Sequence, residues 1–194
     1  MDGINSWWEK RTGERFWLGV PRHDGDDEVL ATPCNSGHGS ASADHPLIRY
    51  VRDGDAVFHF DMTRQAIVAW SAARGRVLKR PLAWSRTGCA WDAGKTWTES
   101  LPSWTVDLEP AVTIADVVSL DHIARLQYEL FPALRTLEDT VGESLHYPFS
   151  LGSPVETHLL AGRVFKLPAL FVAACSPLAR AAGLSRNGTA MAGA

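Results

Sequence analysis

His59 and Asp61 stand two residues apart in AVFHFDM (56–62), where apolar and polar residues alternate as in a half-buried strand. A period of two puts both side chains on one strand face. An imidazole beside a carboxylate is the start of a site acting on a small molecule. No third partner is evident in the sequence, and a satisfied structural histidine is the alternative. Gly37-His38-Gly39-Ser40-Ala41-Ser42 echoes a phosphate loop, but it lacks a third glycine and a closing Lys-Ser/Thr pair. The seven His and three Cys (Cys34, Cys89, Cys175) do not cluster at metal-ligand spacing. There is no G-x-S-x-G and no nuclease-type pair of carboxylates with a lysine. The expectation is therefore a chain with no catalytic residues, no metal and no cofactor.

A second kind of chemistry is binding. The formal net charge of -3 argues at first against a nucleic-acid partner. Divided by segment, the charge reads differently. Between Met62 and Trp91 lie Arg64, Arg74, Arg76, Lys79, Arg80 and Arg86, with no Asp or Glu among them. The compensating acids lie in 24–28, 53–61 and 107–143. The chain has eight Trp against three Tyr, and Trp70, Trp84, Trp91, Trp97 and Trp104 fall in or just after the basic run. Cations interleaved with aromatics suit phosphate contact plus base stacking. The alternative is a solvated hairpin with its Trp residues in the core.

These residues need elements to position them. SWWEKRTGERFWLGV (6–20) reads as a first strand followed by a turn and a short element. Residues 21–46 are loop-like, with Pro21, Gly25, Pro33, Gly37, Gly39 and Pro46. Asp53-Gly54-Asp55 is a turn signal before the strand 56–62, and AIVAWSAARGRVL (66–78) is a second strand with a Gly-marked break. The pair 56–62 and 66–72 forms a hairpin. Trp84, Trp91 and Trp97 fall in a loop-and-strand region 79–104, where exposure is expected. WTVDLEPAV (104–112) is a further strand. Leucines and Ile123 at three- and four-residue intervals then predict an amphipathic helix from about Ser119, capped by Thr113 or Ser119 and broken or kinked at Pro132. A late strand falls in 158–167, and Pro168 opens a helix over 168–184. Strands first, helices flanking and no βαβ alternation favour an α+β fold around a curved, mostly antiparallel sheet.

The chain's 194 residues suit one domain, 1–184, with a disordered tail at 185–194. Hydrophobic residues make up 45%, enough for a core. No apolar run approaches the roughly 18 residues of a membrane span, so no membrane partner is expected. The N-terminus lacks a signal-peptide apolar stretch, and the unpaired, scattered cysteines fit a reducing, cytoplasmic setting.

The order of motifs resembles the EVE-type domains of the PUA-like superfamily, as at the N-terminus of McrA/HNH-type modification-dependent restriction proteins. Trp7-Trp8-Glu9 resembles the aromatic opening. Asn35-Ser36-Gly37-His38-Gly39 stands where such domains carry a pocket loop. Val51–Phe60 resembles their Gly-Asp strand entry, and Ala66–Ser71 resembles the strand that follows. His146–Phe149 and Gly162–Phe171 resemble the closing segments. The resemblance spans about residues 6–178 and rests on the ordered set, not on any one motif. It implies a curved β pseudo-barrel flanked by helices that accepts one flipped, modified base into an aromatic pocket. The implied partner is double-stranded DNA with a modified base, chiefly 5-methylcytosine, within a restriction or defence system.

The implied base pocket is Trp8, Asn35, Ser36, Gly37, Trp70 and Ser71. The implied phosphate contacts are Arg74, Arg76, Lys79, Arg80 and Arg86. Restriction proteins of this kind continue into a nuclease domain, whereas this chain holds no nuclease motif, so cleavage would lie in a partner protein or a further domain. Two rival readings stay open: a small-molecule enzyme using His59 and Asp61, and a Trp-rich protein-interaction module.

Overall fold

The computed structural model describes residues 5–20, 28–34, 47–87, 96–142, 145–149 and 163–183. Its centre is a seven-stranded mixed sheet: β1 (Phe16–Val20), β2 (Val29–Pro33), β3 (Ala56–Asp61), β4 (Ala66–Thr87), β5 (Thr96–Leu108), β6 (Val112–Ser119) and β7 (Arg163–Lys166). The strand order is β2-β5-β4-β3-β1-β7, with β6 beside the first part of β4. Every pairing is antiparallel except β1 with β3. The sheet curls into a half-barrel carrying a few helices. The expected hairpin is present: β3 pairs β4 with Phe58 opposite Trp70. Asp61 closes its turn by accepting from the backbone N–H groups of Thr63 and Arg64.

Several expectations are corrected in detail, and Val29–Pro33, inside the segment 21–46 read as loop, forms β2. Trp7–Lys10 forms a 3-10 helix that precedes the first strand, so the order over 6–20 is reversed. A β3 with one wet face is also not what forms. Five of its six residues are buried, because β3 lies between β1 and β4 with apolar clusters on both faces. β4 does not end at 78, although Gly75 marks the expected break. With φ +70 it makes a bulge, and the register shifts between Arg74 and Leu78. The strand then continues to Thr87 against β5, giving 22 residues in one element.

The curl is visible in one close approach. Gly19 on β1 faces Leu30 on β2, four strands away in the sheet order, and a Cβ on Gly19 would lie 2.7 Å from Leu30 Cδ1. The sheet therefore bends toward the side holding Trp17, Leu30, Val57, Val106 and Val164. Its opposite side packs Leu18, Phe58, Phe60 and Ile67 against Ile123 and Phe171.

Helix α1 (Leu120–Val141) starts at Ser119, whose side chain accepts from His122 N, and ends at Gly142 with φ +74. Ile123, Leu126, Leu134 and Leu137 are buried at helical spacing. Pro132 was expected to break or kink it, and the helix runs through without a break. Pro132 lies on the exposed side, and the carbonyl it orphans belongs to Tyr128, 86% exposed, where water can serve it. The C-terminal helix divides at Cys175 into α2 (Ala169–Ala174) and α3 (Ser176–Ala181), with Pro177 in the first turn of α3. No described helix is long and apolar enough to cross a membrane. The expected tail at 185–194 lies outside the described residues.

Candidate nucleic-acid interface

The turn Asp53-Gly54-Asp55 holds the strands in register around the concave side. Gly54 takes φ +74, which lets the chain reverse before β3. Asp55, buried, accepts from Trp17 Nε1 at 2.8 Å, from Arg52 N at 2.9 Å and from Arg15 Nε at 2.8 Å. Asp53 Oδ1 accepts from Gly75 N at 2.6 Å, tying the turn to the β4 bulge. One turn thus fixes β1, β3 and the point where β4 changes partners. The Gly-Asp pair singled out in the sequence has this structural task.

An aromatic cluster lies on the same side. Trp8 makes edge-to-face contacts with Trp7, Trp17, Tyr50 and His146 at centroid distances of 5.5–5.9 Å. It is only 5% exposed, yet its indole N–H is buried with no acceptor among the described residues, and the same holds for Asn5 Nδ2. Buried donors without partners are uncommon.

The 3-10 helix Leu47–Tyr50 links this cluster to a second one. Tyr50 meets Trp8, while its neighbour Arg49 lies over Trp104 on β5, 5.1 Å from the ring centroid. Lys79, directly opposite Trp104 on β4, places its ammonium 5.7 Å from the same ring. Arg49, Lys79 and Arg76 are exposed and have no carboxylate partner among the described residues. Cations held over an indole face are favourable at about 0.5–1 kcal/mol each.

The expected phosphate contacts are not equivalent. Arg74 pairs with Glu109 at 3.4 Å, Arg80 pairs with Asp107, and Arg64 lies 3.6 Å from Asp61. Half of the basic run is thereby answered by nearby acids, because β5 and the β3–β4 turn carry carboxylates beside it. Arg76 and Lys79 are left unanswered. Arg86 is on β4, with its side chain outside the described part.

The expected pocket residues do not all converge. Ser71 faces the concave side beside Val57, its hydroxyl 2.8 Å from His59 Nε2. Trp70, next in sequence, faces the opposite side and packs against the Phe58 cluster. Trp8 and Ser71 thus share a side that Trp70 does not. Asn35, Ser36 and Gly37 lie outside the described residues, as does Trp91. Trp84 was expected in an exposed loop. It is instead a buried residue of β4, its Nε1 donating to Ser103 Oγ at 2.7 Å. His59 and Asp61 have separate engagements, His59 with Ser71 and Asp61 with the turn after it. No group of three metal-ligating side chains occurs among the described residues.

Residues that sequence reasoning passed over include Arg49, Tyr50, Glu14 and Lys166. Arg49 and Tyr50 gave a signal, a cation and a ring inside LIRY, but nothing local said which rings they would meet. Lys166 gave none. It is fully buried and lies 5.5 and 5.3 Å from the Trp7 and Trp17 ring centroids. Burial lowers its ammonium to about 8, opposed by the attraction of Glu14. Burial also pushes the Tyr147 hydroxyl and the Cys175 thiol upward.

Compared with models of known protein families and with curated proteins, the chain matches none.

Proposed function

We propose that this chain is an EVE-type, PUA-like reader domain that binds double-stranded DNA carrying a modified base, modified cytosine first among them. It would be the recognition part of a restriction or defence system, with cleavage performed by a partner protein or a further domain. The observation that carries this reading is Trp104 flanked by Arg49 and Lys79, with Arg76 nearby in sequence on the same strand and none of the three cations neutralised by a described acid. Exposed cations beside a partly exposed indole favour an anionic partner with flat bases over a neutral small molecule.

The curled, mostly antiparallel sheet is the kind of scaffold the resemblance implies. A flipped base costs a few kcal/mol of lost stacking and pairing. Stacking on an aromatic ring returns about 1–3 kcal/mol, and a base carbonyl that entered the aromatic cluster would satisfy the buried Trp8 N–H, which has no acceptor among the described residues. The modification itself adds only about 1–3 kcal/mol of discrimination in an apolar pocket. The phosphate contacts must therefore supply much of the affinity. Trp84, buried and bonded to Ser103, takes one ring away from the protein-docking alternative.

The test is a gel-shift competition on short duplexes that differ only in cytosine modification. The modified duplex is expected to displace the labelled probe at roughly tenfold lower concentration. Equal competition by plain and modified duplexes overturns the modified-base reading, and a salt-independent affinity overturns the phosphate contacts.

A further inference from the structure

We infer that the outer part of the β4–β5 hairpin lies in the major groove of the bound DNA, an inference that rests on the reading above. The hairpin is longer than the sheet that supports it. Its last rung with β2 is Pro33 opposite Ser103. Beyond that, Pro81–Thr87 and Thr96–Pro102 pair with each other, Pro81 opposite Pro102 and Thr87 opposite Thr96. Seven residues, six steps of about 3.3 Å, make an arm of about 20 Å. A B-DNA major groove, about 12 Å wide and about 8.5 Å deep, admits a two-stranded ribbon of this kind.

The two faces of the arm differ. One continues the face that holds Lys79 and Trp104, and along it come Pro81 with Pro102, then Ala83 with Ser100, then Thr98. Ala83, Ser100 and Thr98 are exposed, small and uncharged. Such side chains let a ribbon come close to base edges. The hydroxyls of Ser100 and Thr98 donate or accept, and the Ala83 methyl suits a thymine methyl. The other face carries Trp84, buried against Ser103, with Glu99 opposite it and the position of Arg86 further along. The arm's acidic residue is thus on the face away from Arg49 and Lys79. One surface runs from a phosphate-gripping base, Arg49 and Lys79, to a groove-sized ribbon.

Dimethyl sulfate interference on a duplex that the protein binds tests this placement, because the reagent marks guanine N7 in the major groove and adenine N3 in the minor groove. Guanine N7 methylation within one half-turn should deplete the bound fraction about fivefold or more, while adenine N3 methylation opposite it should not. Ala83→Glu with Ser100→Glu should weaken binding about tenfold at unchanged melting temperature, and should abolish the N7 interference. Binding that tolerates every N7 methylation, or interference confined to adenine N3, overturns the groove placement and leaves the reader function standing. Failure to bind any duplex overturns both.

Discussion

Lys166 Nζ lies 3.3 Å from Glu14 Oε2, with the two side chains only 0% and 8% exposed. The ammonium also donates to the carbonyls of Phe16 and Leu167, at 3.0 and 2.9 Å. Glu14 accepts in turn from Ala169 N at the start of α2. One buried pair thus joins the entry to β1, the end of β7 and the next helix.

The first prediction concerns pH. Burial holds Lys166 at about 8 against an ordinary 10.5, so between those values the unfolded chain binds more protons at this position than the folded one. Stability contributed here therefore rises with pH across that window, by at most about 1.4 kcal/mol per unit. Below about 8 the group is charged in both states and the burial cost is complete. Tyr147 and Cys175, both raised, act in the opposite direction at alkaline pH, so the comparison must be with Lys166→Met, which retains them. Urea unfolding at pH 7.5 and pH 9.5 should show wild type gaining on the variant by about 1–2 kcal/mol. A constant difference would refute the account.

Asp55 carries the second. Its carboxylate satisfies an indole, a backbone amide and a guanidinium at once. Asp55→Ala would strand the Trp17 N–H in the core and release the turn that positions Gly75. The expected loss is about 3 kcal/mol, with Asp55→Asn losing about half of that, since one amide oxygen remains to accept. Denaturant unfolding measures both. A loss below 1 kcal/mol for the alanine variant would mean that the turn is held by other contacts.

Local pattern made part of this fold legible. Alternation in 56–62 and 66–72 and the turn between them are local facts, and so is the Ser119 cap with its leucine spacing. What escaped was set by partners distant in sequence. Gly75 reads as a break because its fixing contact, Asp53, is 22 residues away. Lys166 gives no signal of its own because its partner Glu14 is 152 residues away. The pocket resemblance joined Trp70 and Ser71, yet the period of two that made the strand recognisable also sends them to opposite faces. Charge by segment located Arg76 and Lys79, but it counted Arg74 and Arg80 equally, since Glu109 and Asp107 come opposite them only when β5 folds back.

That inequality gives a third prediction. Arg76→Glu with Lys79→Glu should weaken binding to plain and modified duplexes alike, by about 10- to 100-fold near physiological salt. The change should lower the slope of log affinity against log salt by nearly two. Arg74→Glu with Arg80→Glu removes cations already paired with Glu109 and Asp107, so it should change the salt slope less while costing more stability. Equal slopes for the two double variants would show that the pairing does not decide which cations meet phosphate.

The last prediction contrasts two indoles of one cluster. Trp17 donates to Asp55, whereas the Trp8 N–H is buried with no acceptor among the described residues. Replacing either by Phe removes similar volume, but only Trp17→Phe gives up a hydrogen bond to a carboxylate. Trp17→Phe should therefore destabilise the free protein by about 1–3 kcal/mol more than Trp8→Phe. DNA should reverse the order of importance. If a base carbonyl uses the Trp8 N–H, Trp8→Phe weakens binding of modified and plain duplex alike, by about tenfold, while the melting temperature changes little. Trp70→Phe, on the convex side, should leave that affinity intact. A Trp8→Phe protein with full affinity would remove Trp8 from the pocket, and loss of affinity in Trp70→Phe would move the pocket to the other face of the sheet.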